Sequence, residues 1–237
     1  MRASHHALDD DMRFANRHDA GRRLAAALTR VSMHDPLVVG LPRGGVPVAF
    51  EVARELGAPL DVVLVRKLGC PWHRELGVGA LGEGGIQVRN RRLMRSIGVT
   101  DEELEEVARR ETIELERRHE LYRGRREPLE VTDRTVIVVD DGLATGFTAR
   151  AALEVLRRRG ARRLVLAVPV APPEAVRELS AVADEVVCLH APAAFGAIGQ
   201  FYDDFSQTSD EEVAELLTRA TATSGTPEVA DQGGDHA

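Results

Sequence analysis

The sequence predicts an α/β fold in which a parallel, Rossmann-like sheet has helices on both faces and is joined to a hood or lid subdomain. Short apolar runs alternate with segments of helical periodicity, which is the pattern of βαβ units. Two of these runs, Pro36–Leu41 and Val136–Val139, are each followed by a glycine-containing loop and then by a helical segment. A charged, glycine-rich stretch between them interrupts the alternation and predicts the hood.

The bulk composition favours a single globular unit in the cytoplasm. The 237 residues fit one large domain with a lid, and 43% hydrophobic residues are enough for a packed core. The apolar runs are too short to cross a bilayer and the N-terminus lacks a signal peptide, so no membrane partner is expected. A net charge of −7 argues against nucleic acid as a partner.

The first half of the chain predicts one βαβ unit preceded by a helix. Apolar residues at helical spacing predict a helix within Phe14–Leu28, and Pro36–Leu41 is the first strand. A helix over Val46–Leu56 is expected to end at Gly57, because glycine is a favoured C-terminal cap. The next buried strand is predicted at Leu60–Val65.

The hood is assigned to residues 68–130. Residues 68–95 are rich in glycine, proline and charge and are interpreted as a loop with a small hairpin. A long charged helix follows over Asp101–Tyr122, and Thr100 with Glu103 forms the pattern of a capping box at its start.

The second half resumes the alternation of strands and helices. The expected strands are Thr135–Val139, Leu164–Val170 and Glu185–Leu189, and the expected helices are Ala149–Arg159, Pro173–Val182 and Asp210–Arg219. The polar ends of the chain predict a disordered leader at residues 1–12 and a disordered tail at 220–237. The folded domain is therefore expected to span residues 13–219.

The loop after the strand Val136–Val139 carries the functional prediction. In open α/β sheets, ligands bind outside the carboxyl ends of the strands, where Asp140 and Asp141 stand. Gly142 and Gly146 allow sharp turns and a close approach of the backbone to a ligand. The acids repel a phosphate but suit vicinal hydroxyls.

The start of the following helix completes this predicted site. The backbone amides of Ala144–Thr148 can converge on a phosphate, because the helix N-terminus favours an anion. The hydroxyls of Thr145 and Thr148 can donate to the same oxygens. The implied ligand has a phosphate beside a diol, and ribose 5-phosphate fits. The competing interpretation of a lone Asp-Asp-Gly is an ordinary turn in which an acid caps the helix.

The run Val136–Thr148 resembles the signature with which type I phosphoribosyltransferases bind phosphoribosyl pyrophosphate (PRPP). The resemblance implies a phosphoribosyltransferase core within the predicted α/β fold. It also assigns the PRPP phosphate and ribose to eight residues, namely Asp140, Asp141, Gly142, Ala144, Thr145, Gly146, Phe147 and Thr148.

A second loop resembles the pyrophosphate loop of the purine enzymes of this family. Arg43, Gly44 and Gly45 follow the first strand, so this resemblance implies that their amides and the guanidinium hold pyrophosphate. Arg66 and Lys67 end the next strand at the same edge, and Lys67 is expected to neutralise the leaving pyrophosphate.

The hood and a late loop are expected to recognise the acceptor base. Cys70–Leu81 resembles the mobile hood of the family, and Glu75 within it is a candidate contact to magnesium or to a substrate amine. In the late loop, Phe195 and Tyr202 are candidates to stack on a base, with a hydrophobic anchor as the alternative. Further segments, including Phe14-Ala15-Asn16-Arg17 and Phe201-Tyr202-Asp203-Asp204-Phe205, resemble a bacterial branch of predicted phosphoribosyltransferases whose substrate is undefined.

The resemblance implies a magnesium-dependent transferase of nucleotide metabolism or nucleoside salvage. It would transfer the 5-phosphoribosyl group of PRPP to an unidentified nitrogenous base or related amine and release pyrophosphate. Asp140, Asp141 and Lys67 are the expected catalytic residues. Magnesium would be bound through PRPP, with Asp140 and Asp141 as additional candidate ligands. The resemblance leaves a homodimer open.

Three other functions remain open at this point. A non-catalytic PRPP sensor with a regulatory role would use the same site. Hydrolysis of PRPP or of a nucleoside monophosphate would need only water as the acceptor. A different phosphate-handling enzyme is disfavoured, because the sequence lacks both the Gly-x-x-x-x-Gly-Lys-Ser/Thr loop and Gly-x-Gly-x-x-Gly after a strand.

Overall fold

The computed structural model describes residues 12–224 as an α/β domain with two sheets. Residues 1–11 and 225–237, which hold most of the predicted leader and tail, lie outside the described residues. The helices and strands, in chain order, are α1 (Arg17–Leu28), β1 (Pro36–Gly40), α2 (Gly45–Leu56), β2 (Leu60–Val62), β3 (Val65–Cys70), β4 (His73–Gly82), β5 (Gln87–Arg89), α3 (Arg91–Ile97), α4 (Asp101–Arg123), β6 (Thr135–Val139), α5 (Phe147–Arg158), β7 (Arg163–Val170), α6 (Pro173–Leu179), β8 (Glu185–His190) and α7 (Asp210–Ser224).

The larger sheet confirms the predicted fold class. Its five strands are all parallel and run in the order β2-β1-β6-β7-β8. Every residue of β6 is buried, which explains why this strand is a continuous run of β-formers rather than an alternating pattern. The central pair β1 and β6 is in register from Pro36 with Thr135 to Gly40 with Val139, so the loops that follow both strands start at the same edge.

Helices cover both faces of this sheet. Val38 and Ile137 point into one core cluster, which they share with α1, α2, α4 and α7. Leu37 and Val136, one position earlier on each strand, point into a second cluster with α5 and α6. Because successive side chains of a strand point to opposite faces, the apolar runs supply both cores.

The hood region forms a small antiparallel sheet of its own. Strands β3, β4 and β5 pair in that order, where the sequence predicted a loop and a hairpin. Glycines obscured the pattern, because they are depleted in strands and usually indicate a close approach. A Cβ at Gly77 would lie 2.6 Å from the ring of Phe147, and one at Gly82 would lie 2.5 Å from Val155. Glycine is therefore needed at both positions for β4 to pack on α5.

Several element boundaries differ from the sequence-based expectation. The predicted strand Leu60–Val65 ends at Val62, and Val65 already belongs to the second sheet. Helix α3 follows β5 and was not predicted. Helix α4 has the predicted capping box between Thr100 and Glu103. The last helix continues to Ser224, beyond the expected end of the domain at 219. None of the helices within residues 12–224 combines the length and the apolarity needed to cross a bilayer.

Candidate active site

Two loops meet at the carboxyl edge of the parallel sheet. The first follows β1, and the second follows β6 and leads into α5. The amide of Leu41 donates a 2.9 Å hydrogen bond to the carbonyl of Val139, so the loops start from paired backbones. A Cβ at Gly45 would lie 2.6 Å from the Val139 carbonyl oxygen and 2.9 Å from Cα of Asp140. The first loop therefore packs directly on the second, and only glycine permits that distance. The peptide bond between Pro42 and Arg43 in this loop is cis.

The two adjacent carboxylates lie at the junction of these loops. Asp141 is buried, and its Oδ2 atom accepts a 2.8 Å hydrogen bond from Nε of Arg17. Asp140 is half-buried, and its Oδ1 atom accepts a 2.9 Å hydrogen bond from the amide of Asp141. Burial raises the pKa of both carboxyl groups. The charge of Asp141 raises the pKa of Asp140 further, whereas Arg17 acts in the opposite direction on both.

The segment from Gly142 to Thr148 presents polar groups outward. Gly146 has a φ of +68°, a left-handed conformation that glycine adopts without strain, and it caps the start of α5. Ala144, Thr145 and Thr148 are exposed, whereas Gly142 is buried against Ile198. The first amides of a helix have no partners within the helix, so this surface can bind an anion.

The three predicted cationic residues differ in their position and in their partners. Arg66 and Lys67 do not end a strand of the parallel sheet, as predicted, but lie within β3 of the small sheet, because the parallel strand β2 already ends at Val62. Within residues 12–224, the guanidinium of Arg43 makes no hydrogen bond or ion pair with another side chain, and the residue is half-buried. Arg66 forms a 2.7 Å ion pair with Glu111 of α4. Nζ of Lys67 donates to the backbone oxygen and to the carboxylate of Glu75, at 3.2 and 3.3 Å. Arg43 is therefore the cation of the first loop that is ready to accept an anion.

A narrow cleft continues from the first loop towards the hood. It lies between the carboxyl edge of the sheet and helix α4, and Arg66 and Arg118 supply its two cations. The cleft is lined by Leu41, Pro42, Val63, Leu64, Val65, Arg66, Leu115, Arg118 and Thr148. Sequence reasoning missed Arg118, because Glu and Arg alternate along α4 and every arginine there has the same local pattern. Arg118 itself pairs with Glu114 at 2.9 Å.

The expected stacking role of Tyr202 does not fit its environment. Tyr202 is 3% exposed, and its ring packs between Phe14 and Phe205, at centroid distances of 5.4 and 5.0 Å. Its hydroxyl donates a 2.6 Å hydrogen bond to the backbone oxygen of Asp141. The alternative interpretation, a hydrophobic anchor, describes this residue. Its hydroxyl binds the loop that follows β6 and contains Asp140 and Asp141, which is called the acidic loop below.

The two other base-recognition candidates remain accessible. Phe195 is half-buried and stacks on Phe201 at a centroid distance of 5.6 Å. The side chain of Glu75 is 87% exposed and contacts Lys67. Neither residue contacts the acidic loop through a hydrogen bond or ion pair within residues 12–224. Their role towards a base stays a prediction.

The most important residue that sequence reasoning left without a role is Arg17. Its side chain is only 11% exposed and pairs with Asp141, a residue 124 positions later in the chain. The segment Phe14–Arg17 resembles a bacterial branch of the family, but no local pattern distinguishes Arg17 from Arg22 or Arg23. The pairing of Arg17 with Asp141 follows only from the fold, which places the start of α1 beside the loop after β6.

Two known proteins are similar to this chain over most of its length. The crystal structure of TT1426 from Thermus thermophilus superimposes with a TM-score of 0.81 and 48% sequence identity, and the match covers 88% of this chain and 99% of that chain. A Mycobacterium tuberculosis protein with the provisional name of phosphoribosyl transferase is 51% identical over 207 residues, which are 87% of this chain and 47% of that protein. The chain thus spans about half the length of the curated relatives of this kind that it matches.

A shorter similarity and a family profile complete the comparison. A uracil phosphoribosyltransferase from Lactobacillus delbrueckii subsp. bulgaricus is 50% identical over 58 residues, which are 24% of this chain and 26% of that protein. Residues 84–206, just over half of the sequence, match the profile of the phosphoribosyl transferase domain. This stretch contains β6, the acidic pair and the start of α5. The chain therefore belongs to the phosphoribosyl transferase domain family.

Proposed function

We propose that this chain binds PRPP and transfers its 5-phosphoribosyl group to a nitrogenous base or related amine, with release of pyrophosphate. The observation that carries the proposal is the contact between the two loops at the carboxyl edge. One loop offers a helix N-terminus and two carboxylates, and the other offers Arg43 beside two glycines. PRPP carries a phosphate, a diol and a pyrophosphate one after another. These groups match the helix N-terminus, the two carboxylates and the Arg43 loop, respectively.

The 5-phosphate of PRPP belongs at the start of α5 in this proposal. Ala144, Thr145 and Thr148 are exposed residues at the N-terminus of this helix. A phosphate there gains hydrogen bonds from amides that lack helical partners, together with the favourable helix dipole. Gly146 is required because its left-handed backbone turns the loop into the helix.

The ribose belongs beside the carboxylates, and the pyrophosphate beside the first loop. The acidic pair accepts hydrogen bonds from vicinal hydroxyls and faces the positive charge that develops on the sugar during bond cleavage. Arg43 donates to the departing pyrophosphate. Lys67 can join it by leaving Glu75, and this exchange costs little because the carboxylate of Glu75 is exposed.

Magnesium fits this site as an ion held mainly by the substrate. Within residues 12–224, no group of three or more His, Cys, Asp or Glu side chains is close enough to hold a metal ion. Asp140 and Asp141 supply two carboxylates, and magnesium commonly combines one or two carboxylates with phosphate oxygens and water. When bound, the ion would neutralise charge on the pyrophosphate. The protein's own contribution is to orient the ribose and to exclude water from C1.

Base recognition is proposed for the space between the late loop and the hood. The stacked rings of Phe195 and Phe201 offer an aromatic surface beyond β8. The β3–β4 turn carries Trp72, whose side chain is exposed, so an apolar group of the hood faces solvent near Glu75. Closing the hood over the base would exclude water and favour transfer to nitrogen over hydrolysis.

A two-stage experiment tests this function. Magnesium-PRPP is titrated into the protein by calorimetry, with the Asp140→Asn/Asp141→Asn variant as the matched control. Wild-type binding that disappears in the folded variant supports the site, and absence of binding to wild type contradicts it. Pyrophosphate release is then measured with purines, with pyrimidines that include uracil, and with amines. Binding without release for every acceptor would favour a cytoplasmic PRPP sensor instead of the transferase.

A further inference from the structure

Two segments that resemble the bacterial branch but lack an assigned role are joined in the structure. The amide of Phe14 donates to the carbonyl of Phe201 at 2.8 Å, and the amide of Asp203 donates to the carbonyl of Phe14 at 2.9 Å. The amide of Asp204 donates to the carbonyl of Ala15 at 3.0 Å. Residues 14–17 and 201–206 therefore form a short backbone ladder, called the clasp below.

The clasp reaches the acidic loop at two atoms of one residue. Nε of Arg17 donates to Oδ2 of Asp141 at 2.8 Å, and the hydroxyl of Tyr202 donates to the backbone oxygen of Asp141 at 2.6 Å. One segment of the clasp thus holds the side chain of Asp141, and the other holds its backbone. Both contacts are shielded from water, since Asp141 and Tyr202 are buried.

The guanidinium of Arg17 is itself fixed by the clasp. Its Nη1 atom donates to the backbone oxygen of Ser206 at 2.6 Å, and its centre lies 4.0 Å from the ring centroid of Phe205. A planar guanidinium that donates in two directions and stacks on a ring has one defined orientation. Arg17 therefore acts as a rigid support for Asp141.

The two carboxylates are consequently unequal. Asp141 is paired with Arg17, and a Cβ on Gly44 would overlap its Oδ2 atom, so this carboxylate is wedged against the first loop. Within residues 12–224, Asp140 forms no ion pair. Its Oδ1 atom accepts a hydrogen bond from the amide of Asp141, and the residue is half-buried, whereas Asp141 is buried.

We propose that Arg17 is a positioning residue that holds Asp141 against Gly44 and sets the spacing of the two loops, so that the fixed Asp141 and the more accessible Asp140 are presented to the ligand together. This inference rests on the proposed function, because the ligand is PRPP. Arg17 has no direct contact with the substrate in this arrangement. Its loss is expected to weaken substrate binding through the displacement of Asp141.

Two arginine variants and a matched control test the role of Arg17. Magnesium-PRPP is titrated by calorimetry into wild type, Arg17→Ala, Arg17→Lys and Arg13→Ala. Arg13 belongs to the same junction, where it pairs with Asp203 at 2.8 Å and donates to the Tyr202 carbonyl at 3.0 Å, but it makes no contact with Asp140 or Asp141, and the side chains of Arg13 and Asp203 are more than half exposed. Arg17→Ala should weaken binding roughly 10–100-fold, as expected for the loss of a residue that orients a ligand-binding group. Arg13→Ala should bind as wild type does.

Rescue distinguishes positioning from general destabilisation. Ethylguanidinium added to Arg17→Ala should restore part of the affinity, because it can occupy the space beside Phe205 and donate to Asp141. Arg17→Lys retains the charge without the two-directional donation, so its affinity should lie between those of Arg17→Ala and wild type. The same additive should leave Arg13→Ala and wild type unchanged. If Arg17→Ala does not fold, the PRPP affinity of Arg17→Lys is the deciding measurement. An affinity equal to that of wild type in Arg17→Lys would then overturn the inference.

Single variants of the acids test the division of roles. Asp140→Asn should abolish detectable PRPP binding in a folded protein, whereas Asp141→Asn should weaken it about as much as Arg17→Ala does. The reverse order would overturn the assignment of Asp140 as the more accessible of the two ligand-binding carboxylates. Wild-type binding with unchanged affinity in Arg17→Ala would overturn the role of Arg17 alone. Absence of PRPP binding to folded wild type would instead refute the proposed function, and the positioning role with it.

Discussion

Gly44 and Asp141 are in contact across the junction of the two loops. A Cβ added at Gly44 would overlap Oδ2 of Asp141 and lie 2.7 Å from its Cγ atom and 3.2 Å from Nε of Arg17. Gly44→Ala is therefore expected to separate the loops and to reduce the free energy of unfolding by about 1–3 kcal/mol, as overpacking does. PRPP binding should weaken as well, which chemical denaturation and calorimetry on the same sample would measure.

Gly57→Ala is the matched control for this change. Gly57 has a φ of +60° and nothing within 4 Å of an added Cβ, so alanine there strains the backbone without touching the site. We expect a loss of about 1–2 kcal/mol in stability with unchanged PRPP affinity. If Gly44→Ala and Gly57→Ala lost PRPP affinity equally, the contact between Gly44 and Asp141 would not be specifically required for PRPP binding.

Asp140 is predicted to lower the stability of the folded protein at neutral pH. Burial raises its pKa, and the charge of Asp141 raises it further, so the folded protein holds more protons than the unfolded chain between the ordinary aspartate pKa and the raised value. Stability therefore falls as the pH increases through this window. Asp140→Asn should have a larger free energy of unfolding than wild type at neutral pH, with the difference shrinking towards acid. Urea denaturation at a series of pH values measures this difference.

Asp184→Asn should behave in the opposite way. Although burial opposes the effect, the amide of Leu164 and the guanidinium of Arg157 lower the pKa of Asp184. Its contribution to stability is present above the ordinary aspartate pKa and is lost as the pH falls through the lowered value. The variant should therefore be less stable than wild type at neutral pH. If both Asp140→Asn and Asp184→Asn changed the free energy of unfolding in the same direction at neutral pH, the environments assigned to the two carboxylates would be contradicted.

A buried arginine connects α4 with β2 and with the turn after β4. Arg123 is 5% exposed, donates to Asp61 at 2.7 Å and to the Val62 carbonyl at 2.6 Å, and also pairs with Glu83. Arg123→Met leaves two buried carboxylates without their cation, which typically costs about 3–5 kcal/mol. Urea denaturation should show a loss of this size.

Arg109→Met provides the control on the same helix. Arg109 pairs with Glu106, and both side chains are more than half exposed. Solvent screens such pairs, so no measurable change in the midpoint of urea denaturation is expected. A comparable loss in both variants would mean that helix propensity, rather than the buried cluster, explains the effect of Arg123.

Trp72 is a natural reporter of the hood. It is the single tryptophan of the chain, it is 59% exposed, and it lies in the turn between β3 and β4. If the hood closes over the ligand, magnesium-PRPP with an accepted base should shift its emission to shorter wavelength, because the indole leaves water. The Asp140→Asn variant should show no shift. Constant emission in wild type under conditions where calorimetry detects binding would contradict closure.

The parallel core could be predicted from sequence because its signals are local. The strand Thr135–Val139 contains the unbroken apolar run Val136–Val139, and Thr100 with Glu103 marks the start of α4 within four residues. The acidic loop is likewise contiguous, so its placement at the carboxyl edge follows from one motif. The contact of this loop with Gly45 follows only from the parallel pairing of β1 and β6.

The parts that could not be predicted depend on residues distant in sequence. The small sheet was missed because Gly77 and Gly82 serve contacts to α5 that no local pattern reveals. Tyr202 was expected near a base, and its aromatic character fits a buried anchor equally well. Arg17 pairs with a residue 124 positions away, and the chain contains many arginines with similar neighbours.

The ladder between Phe14 and Tyr202 has a consequence for the order in which the protein is completed during synthesis. The parallel sheet and the acidic loop are finished once β8 has emerged, yet the support of Asp141 by Tyr202 and by Arg17 bound to Ser206 must await residues 201–206. Because chains are made from the N-terminus onward, a nascent chain held before residue 201 would have a folded sheet around an unfinished pocket. The ability to bind the ligand would thus appear only after the last strand of the sheet, at about the stage at which α7 completes the first core cluster.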